Sequence, residues 1–195
     1  MSSNEIDTRT RILQATWELM ESNPGKSLSM SQIAKASRIS RQALYLHFES
    51  RTELLIATTH YVDDVKELDI RLQKLELAKS GEEMLKVCVE VWGNYIPEIY
   101  SVSKALMMTK DNDEAAAAAW TDIMGCLTNV CAQIINVLKK EQKLSSHWNA
   151  KDATDFFQTI ISIQNWEELT SECGWSQKKY ISHLTQLLLD TLVSR

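Results

Sequence analysis

Basic side chains are concentrated in one short stretch of an otherwise acidic chain. Between Lys26 and Arg51 there are five Lys or Arg residues and a single acid, Glu49. Residues 1–60 hold 7 basic and 6 acidic residues, whereas residues 61–195 hold 14 and 20. Guanidinium and ammonium groups donate hydrogen bonds to anionic oxygens. The chemistry available here is therefore the binding of phosphates by one end of the molecule.

The residue types that catalyse reactions or hold metals are not spaced for such work. Cys126 and Cys131 lie five positions apart without a neighbouring histidine, which is poor spacing for zinc. The four histidines lie on separate segments, and the sequence has no Glu-x-x-His motif, nucleophile elbow or P-loop. We therefore expect no cofactor, no metal site and no enzyme activity. A helical, cofactor-free enzyme is the distant alternative.

The composition favours a soluble, helical protein. Only 5 Gly and 2 Pro interrupt the chain, which is typical of helices joined by short loops. No apolar run approaches the roughly 20 residues needed to cross a bilayer, and no secretory signal precedes the first helical pattern. The 4 cysteines are scattered and lack CxxC pairing, as expected for reduced thiols. We expect a cytoplasmic protein without a membrane partner.

Short helices must position the side chains of the basic stretch, and capping residues indicate where these helices begin. Ser29–Gln32 and Ser50–Glu53 are capping boxes, and Ser40 is a third cap. Two short helices across a tight turn, braced by a helix on either side, are the arrangement that follows. The predicted helices of this region cover residues 5–22, 30–36, 40–46 and 51–77.

Apolar periodicity, caps and breaks predict five more helices in the rest of the chain. Pro97 is expected to separate the first two of them. We therefore predict an all-α fold of about nine helices. The five later helices cover residues 81–97, 97–110, 111–142, 150–170 and 176–194.

The stretch Ile33–Phe48, with the sequence IAKASRISRQALYLHF, resembles the DNA-binding segment of the tetracycline-repressor (TetR) family. That family shows an IAxxAGVSxxxLYxHF-like run followed by a polar residue, a base and Glu-x-Leu-Leu, and Ser50–Leu55 is similar to that continuation. The resemblance covers about residues 9–57. Arg38 departs from it, because it aligns with the usual glycine of the turn. If the turn needs a positive φ, a non-glycine residue costs on the order of 1 kcal/mol.

The resemblance implies two domains: an N-terminal three-helix helix-turn-helix over residues 1–57, and a C-terminal helical bundle for ligand binding and dimerisation over residues 58–195. It implies a homodimeric transcriptional regulator whose partners are a double-stranded DNA operator, a second copy of the chain and a small-molecule effector. We expect a repressor that a small, largely apolar effector releases from its operator. A regulator without an effector, and an activator, are the alternatives.

The expected roles on DNA follow from the reading helix, whose N-terminal side chains face base edges. Arg41 can reach guanine, Gln42 can pair with adenine, and Ala43 is small enough to touch a thymine methyl. Tyr45 and His47 resemble the family's backbone contacts, with simple packing and a helix C-cap as their alternatives. The expected DNA-binding residues are Ser29, Arg38, Ser40, Arg41, Gln42, Ala43, Tyr45, His47 and Arg51.

The last two predicted helices carry more apolar surface than one internal seam needs. This favours a four-helix interface with a twin subunit, and one thick internal core is the alternative. The expected interface residues are Phe157, Ile161, Tyr180, Leu184, Leu187 and Leu188.

Aromatic and thioether side chains between residues 88 and 166 are expected to line an effector pocket, with ordinary core packing as the alternative for each. No cationic cluster accompanies them, which favours a neutral or cationic effector over a polyphosphate. The expected pocket residues are Trp92, Tyr95, Tyr100, Met107, Trp120, Met124 and Trp166.

Overall fold

A computed structural model describes residues 7–194 of the chain. This part contains ten α-helices and no strand, which confirms the predicted all-α fold. One isolated antiparallel bridge joins Leu144 to Val193. The helices are α1 Thr8–Ser22, α2 Met30–Ala36, α3 Arg41–His47, α4 Arg51–Val65, α5 Leu68–Glu76, α6 Gly81–Thr109, α7 Glu114–Lys140, α8 Ala150–Ile160, α9 Ile163–Glu167 and α10 Gln177–Leu192.

The predicted caps at Ser29, Ser40 and Ser50 are confirmed. The Ser29 hydroxyl accepts a hydrogen bond from the Gln32 amide at 3.3 Å, and the Gln32 side chain accepts one from the Ser29 amide at 2.8 Å. The hydroxyls of Ser40 and Ser50 each accept an amide hydrogen bond from the residue three positions on, at 3.0 Å. These local bonds begin α2, α3 and α4 at the residues that the sequence indicates.

Two predicted helices are interrupted in the structure. The helix expected over 51–77 breaks after Lys66, because Glu67 has a left-handed backbone with φ of 57° and begins α5. The helix expected over 150–170 stops at Ile161, and Ser162 caps α9 by accepting the Asn165 amide hydrogen bond at 3.2 Å. A π-helical turn over residues 168–172 extends α9.

Pro97 does not end a helix, so the predicted break there is wrong. A proline inside a helix removes the donor for the carbonyl four residues earlier. That carbonyl belongs to Gly93, and it accepts a hydrogen bond from the side-chain amide of Gln177 instead. Because a donor outside the helix satisfies this acceptor, α6 continues through Pro97 as one helix.

Contacts between residues group the chain into two units, each with its own core. The first unit comprises the described residues up to Lys66 together with Ile99–Ile123, and the second comprises Glu67–Glu98 together with residues from Met124 onward. This grouping differs from the predicted division after residue 57, and the domain boundary stays a prediction. Fully buried side chains of the first unit include Ile12, Ile33, Leu44, Phe48 and Leu54. Those of the second include Leu85, Tyr95, Ile134, Phe157, Tyr180 and Leu188.

The helix α7 is long and apolar enough to cross a membrane by length and composition, a criterion that the core helices of soluble proteins also meet. Its residues Ala119, Cys131, Ile134 and Leu138 are fully buried within the protein. Part of its apolar character therefore supplies the core.

Candidate nucleic-acid interface

The turn between α2 and α3 contains the positive φ angle that the sequence analysis considered for Arg38. Arg38 adopts a φ of 56°, so an L-residue occupies the left-handed conformation for which glycine is suited. The Ile39 amide donates to the Ala34 carbonyl at 3.0 Å, and the buried Ser37 hydroxyl donates to the Ile33 carbonyl at 2.8 Å. Hydrogen bonds on both sides of Arg38 therefore hold the strained residue in place.

Buried residues fix the orientation of α3 within the first unit. Leu44 and Phe48 are fully buried, and the Arg9 guanidinium lies 4.1 Å from the centre of the Phe48 ring. The same guanidinium donates a hydrogen bond to the His47 carbonyl at 2.7 Å, which ties α1 to the end of α3. The opposite face of α3 is exposed. It presents Arg41, Gln42, Tyr45 and Leu46.

An open concavity of about 440 Å³ lies beside this exposed face. Residues 27–31 at the start of α2 form one wall, and Arg41, Tyr45 and Arg51 form the others. The Arg41 guanidinium approaches the Tyr45 hydroxyl at 3.4 Å and lies 5.6 Å from the centre of its ring. Guanidinium, phenol and serine hydroxyl groups all donate hydrogen bonds. The concavity is therefore chemically suited to an anionic oxygen such as that of a phosphate.

Arg51 borders this concavity, but its charge already has a partner. The guanidinium forms a two-point ion pair with the Asp113 carboxylate, one contact of which is 2.7 Å, and donates to the Leu28 carbonyl at 3.0 Å. Asp113 is buried, with 3% of its side chain exposed, whereas Arg51 is 28% exposed. A phosphate contact by Arg51 would therefore compete with Asp113. Sequence reasoning missed Asp113, because nothing local links positions 62 residues apart.

Asp113 also begins α7, where its carboxylate accepts hydrogen bonds from the amides of Ala115 at 3.1 Å and Ala116 at 3.3 Å. Burial acts to raise the pKa of Asp113. Hydrogen bonds from Arg51, Ser27 and the Ala116 amide, together with the charge of Arg51, outweigh burial and hold that pKa below its ordinary value. Asp113 is therefore a carboxylate that positions Arg51 at neutral pH.

The expected DNA-binding residues all lie on α2, α3, their turn and the start of α4, and their contacts with DNA remain predictions. Ser29 and Ser40 use their hydroxyls as caps. Tyr45 is 41% exposed, so core packing does not describe it. Gln42 is exposed, and Ala43 is half-buried beside it.

The expected dimer residues are mostly buried within a single chain. Phe157, Ile161, Tyr180, Leu184 and Leu188 are at most 4% exposed, so the apolar surface of α8 and α10 contributes to the chain's own core. The part of these residues in a subunit interface stays a prediction. Leu187 is the one exposed residue of the expected six, with 45% of its surface accessible to solvent.

The expected pocket residues divide between the two units. Tyr100, Met107 and Trp120 belong to the first unit, and the other four belong to the second. Trp92 is buried and donates its indole hydrogen bond to the Ile161 carbonyl at 2.7 Å, while Tyr95 is fully buried. Their role in binding an effector stays a prediction.

The geometry defines a class: an all-helical protein in which two short helices, α2 and α3, form a helix-turn-helix. Residues 12–58 match the model of the family described as bacterial regulatory proteins, tetR family. The predicted resemblance is confirmed: the chain carries the TetR-family segment in its first four helices and shares the fold of a TetR-family transcriptional regulator from Rhodococcus sp..

Curated relatives match about a third of the chain or, in one case, most of it. The nucleoid occlusion factor SlmA of Marinomonas sp. is 34% identical over 64 residues, which cover 33% of this chain and 32% of that protein. SlmA of Marinobacter nauticus is 28% identical over 165 residues, which cover 83% of each chain. The chain thus spans about a third of the length of the first relative and most of the second.

Solved structures share the fold over nearly the whole chain. A transcriptional regulator from Saccharomonospora viridis, in complex with choline, is 19% identical, with a TM-score of 0.72 over 96% of this chain and 98% of that one. NalD, the secondary repressor of the MexAB-OprM multidrug efflux pump in Pseudomonas aeruginosa, is 19% identical, with a TM-score of 0.69 over 95% and 96%. At these identities the likeness establishes the fold alone.

Proposed function

We propose that this chain is a cytoplasmic, homodimeric transcriptional regulator that binds a specific DNA operator through α3. The observation that carries the proposal is the division of α3 into two faces. Leu44 and Phe48, the residue directly after α3, are buried and hold one face of the helix in the core. Arg41, Gln42 and Tyr45 are exposed on the opposite face. A short helix with exposed guanidinium and amide groups, held rigidly by its neighbours, suits the major groove.

The residues of α3 outside the core have distinct roles in this proposal. Arg41 donates two hydrogen bonds to a guanine edge, and Gln42 pairs with adenine through its amide. Ala43 permits close approach of the helix to the bases. Tyr45 and His47 contact the sugar-phosphate backbone, which sets the register without reading sequence.

The residues around α3 supply further contacts to the DNA backbone. Ser29, Ser40 and Arg51 lie at helix starts beside the concavity or the reading helix, where amide groups and positive charge favour phosphates. Arg38 is exposed in the turn and adds one more cation.

Selection of bound duplexes from a random DNA pool tests the proposal directly. We expect the wild-type chain to select one sequence, and Arg41→Ala and Gln42→Ala each to weaken its binding by about 1–3 kcal/mol and relax one base position. Lys178→Ala is the control, because Lys178 is exposed on α10 outside this region. Unchanged selection profiles in both α3 variants would remove α3 as the reading helix.

The proposal includes release from the operator by a small, largely apolar, neutral or cationic molecule. Support comes from structural neighbours: NalD is a repressor, and the Saccharomonospora viridis regulator binds choline, a small cation. A regulator that needs no effector, or one that activates transcription, would show the same DNA selection. A reporter gene placed behind the selected operator distinguishes a repressor from an activator.

A second candidate function is nucleoid occlusion. It is favoured by SlmA of Marinobacter nauticus, which aligns with 83% of this chain. Mapping of the bound sites across a host chromosome separates the two candidates. A few sites at promoters support the transcriptional regulator, and many sites distributed over the chromosome away from promoters support nucleoid occlusion.

A further inference from the structure

Leu46 stands out on the exposed face of α3. Its side chain is 87% exposed, more than Ile70, Leu77 or any other large hydrophobic residue described as exposed. The other residues on this face are Arg41, Gln42 and Tyr45, all of which have polar groups. Leu46 therefore contributes little to the chain's own core, into which Leu44 and Phe48 are fully buried.

The charges around Leu46 indicate what kind of surface it meets. Lys35, Arg38 and Arg41 are exposed on α2, the turn and α3. The acid nearest to it in sequence is Glu49, which lies beyond the end of α3. An apolar side chain on the exposed face of a helix, within a segment of exposed cations, matches a polyanion that also carries apolar groups. The major groove of DNA is such a surface, because each thymine presents a C5-methyl group there.

We propose that Leu46 is a specificity-determining residue that packs on a thymine methyl in the major groove. This inference rests on the proposed function, since it requires α3 to be the reading helix. Leu46 lies four positions after Gln42, just over one helical turn and about 6 Å further along the same side of α3. Base pairs of B-DNA are stacked about 3.4 Å apart. Leu46 therefore reads a base one or two steps from the one that Gln42 contacts.

The size of the effect follows from the apolar surface of one methyl group. Burial of one such group contributes a factor of about four in affinity. A dimer that makes the contact in both half-sites gains this factor twice, about sixteenfold. The contribution is large enough to select thymine at one position of each half-site.

Replacement of thymine by deoxyuridine tests the contact, because it removes the methyl group and keeps the base pair. The probe is the duplex that the wild-type chain selects, with single thymines changed in turn and affinity measured by fluorescence anisotropy. For the wild-type chain, we expect one thymine in each half-site to cause a loss of about fourfold. Leu46→Ala should bind the thymine and uracil duplexes equally, at the affinity of the wild type for uracil.

Two controls keep the test specific. Leu77→Ala removes a leucine that is 80% exposed outside the helix-turn-helix, and it should retain the full thymine dependence. Thermal unfolding of Leu46→Ala should match the wild type, since an exposed side chain contributes little to stability.

The possible failures are distinguishable. Absence of selective binding to any duplex by the wild-type chain would overturn the proposed function itself. Selective binding in which Leu46→Ala keeps the thymine dependence would overturn this inference and assign the methyl contact to Ala43. An equal loss for thymine and uracil duplexes would also overturn it, because Leu46 would then contact the backbone rather than the methyl group.

Discussion

At the scale of single residues, Arg38 connects the strain of the turn with the proposed contact to DNA. Its φ of 56° places an L-residue where the β-carbon crowds the backbone, at a cost of about 1–2 kcal/mol. The strain at Arg38 therefore lowers the folding stability at the position where the TetR-like pattern shows glycine. A contact between the exposed guanidinium and a phosphate would offset this cost by raising the affinity for DNA.

Arg38→Gly should raise the free energy of unfolding by about 0.5–1 kcal/mol, because relief of the strain exceeds the extra freedom of glycine in the unfolded chain. The same variant should bind the operator more weakly, with a salt dependence that is shallower by about one phosphate contact. Denaturant melts and DNA titrations at several salt concentrations measure the two effects. Gln142→Gly is the matched control: its φ is 58°, so stability should rise while DNA binding stays unchanged.

The turn and the caps were predictable at this scale because each depends on neighbours within four residues. Ser29, Ser40 and Ser50 indicate their helices in the sequence and cap them in the structure. The partner of Arg51 was not predictable. Asp113 reads in the sequence as one acid among several at the start of α7, and only the packing of the first unit brings it to Arg51.

Asp113→Ala should lower the free energy of unfolding by about 2–3 kcal/mol at neutral pH, since it leaves the half-buried Arg51 without its carboxylate and α7 without its cap. The folded-state pKa of Asp113 lies below the ordinary value of 3.8, so the stabilisation is present above that pH and is lost as pH falls below it. Urea melts between about pH 3 and pH 7 should therefore show the wild type losing its advantage over the variant in acid. A difference that stays constant across this range would contradict the assignment.

At the scale of elements, one ion pair and one further polar contact join α4 to α7 within the first unit. Arg51 pairs with Asp113 and His60 lies 2.6 Å from Asp122, and in both cases the partners are 62 positions apart. The equal offset means that the two helices run in the same direction and in register over nine residues, about 13.5 Å. The two pairs differ in exposure. His60 is 56% exposed and Asp122 34%, so Asp122→Ala should cost well under the loss expected for Asp113→Ala, about 0–1 kcal/mol.

The continuity of α6 depends on a residue 80 positions beyond Pro97. The sequence predicts a break at Pro97 on sound local grounds, since proline removes a helix donor. The side chain of Gln177 supplies the missing donor to the Gly93 carbonyl, and no local pattern indicates this. The same limit explains the break at Glu67, which has no proline or glycine to mark it. Local rules predict which segments are helical better than they predict where tertiary contacts join or split them.

Gln177→Ala should destabilise the protein by about 1–2 kcal/mol, because it removes the hydrogen bonds that Gln177 makes with the Gly93 carbonyl and the Trp166 indole. In a Pro97→Ala background the loss should be smaller by about 0.5–1 kcal/mol, since the alanine introduced there can donate its own backbone amide to the Gly93 carbonyl. A double-mutant cycle of unfolding free energies measures this coupling. Strict additivity of the two changes would show that Gln177 does not replace the missing donor.

At the scale of the whole molecule, the apolar stripes of α8 and α10 illustrate what periodicity does and does not establish. They correctly mark faces that must be buried. The sequence-based prediction assigned those faces to a twin subunit, whereas Phe157, Tyr180 and Leu188 are fully buried within one chain. Periodicity shows that a face needs a partner, and the identity of the partner depends on the fold.

Leu187 is the residue with which to test dimerisation, because it is 45% exposed on α10. In the proposed dimer, Leu187→Glu places a charge in the subunit contact, so the variant should sediment as a monomer at micromolar concentration while retaining its helical content. Leu184→Glu is the informative contrast. Leu184 is 4% exposed, so this variant should lose thermal stability because it buries a charge within the chain. A Leu187→Glu chain that stays dimeric would place the contact elsewhere.

Release of the operator by an effector depends on the spacing of the two reading helices. The two reading helices of a dimer must lie about 34–36 Å apart, or a multiple of this, to reach successive major grooves. A ligand weakens DNA binding only if it prefers an arrangement in which this spacing is lost, and a preference of about 1–3 kcal/mol changes affinity by about 5- to 150-fold.

The tryptophans among the expected pocket residues provide the signal for this test. Trp92 is buried and Trp120 is half-buried, so a ligand that packs against either should change its fluorescence. We expect a screen of small apolar and quaternary ammonium compounds to yield one that shifts the emission and also releases the operator. Trp120→Phe and Trp92→Phe should then identify which residue reports binding. A compound that changes the emission at saturation yet leaves DNA affinity untouched would show a binding site that does not control DNA release. A regulator that works without an effector would then be the better description.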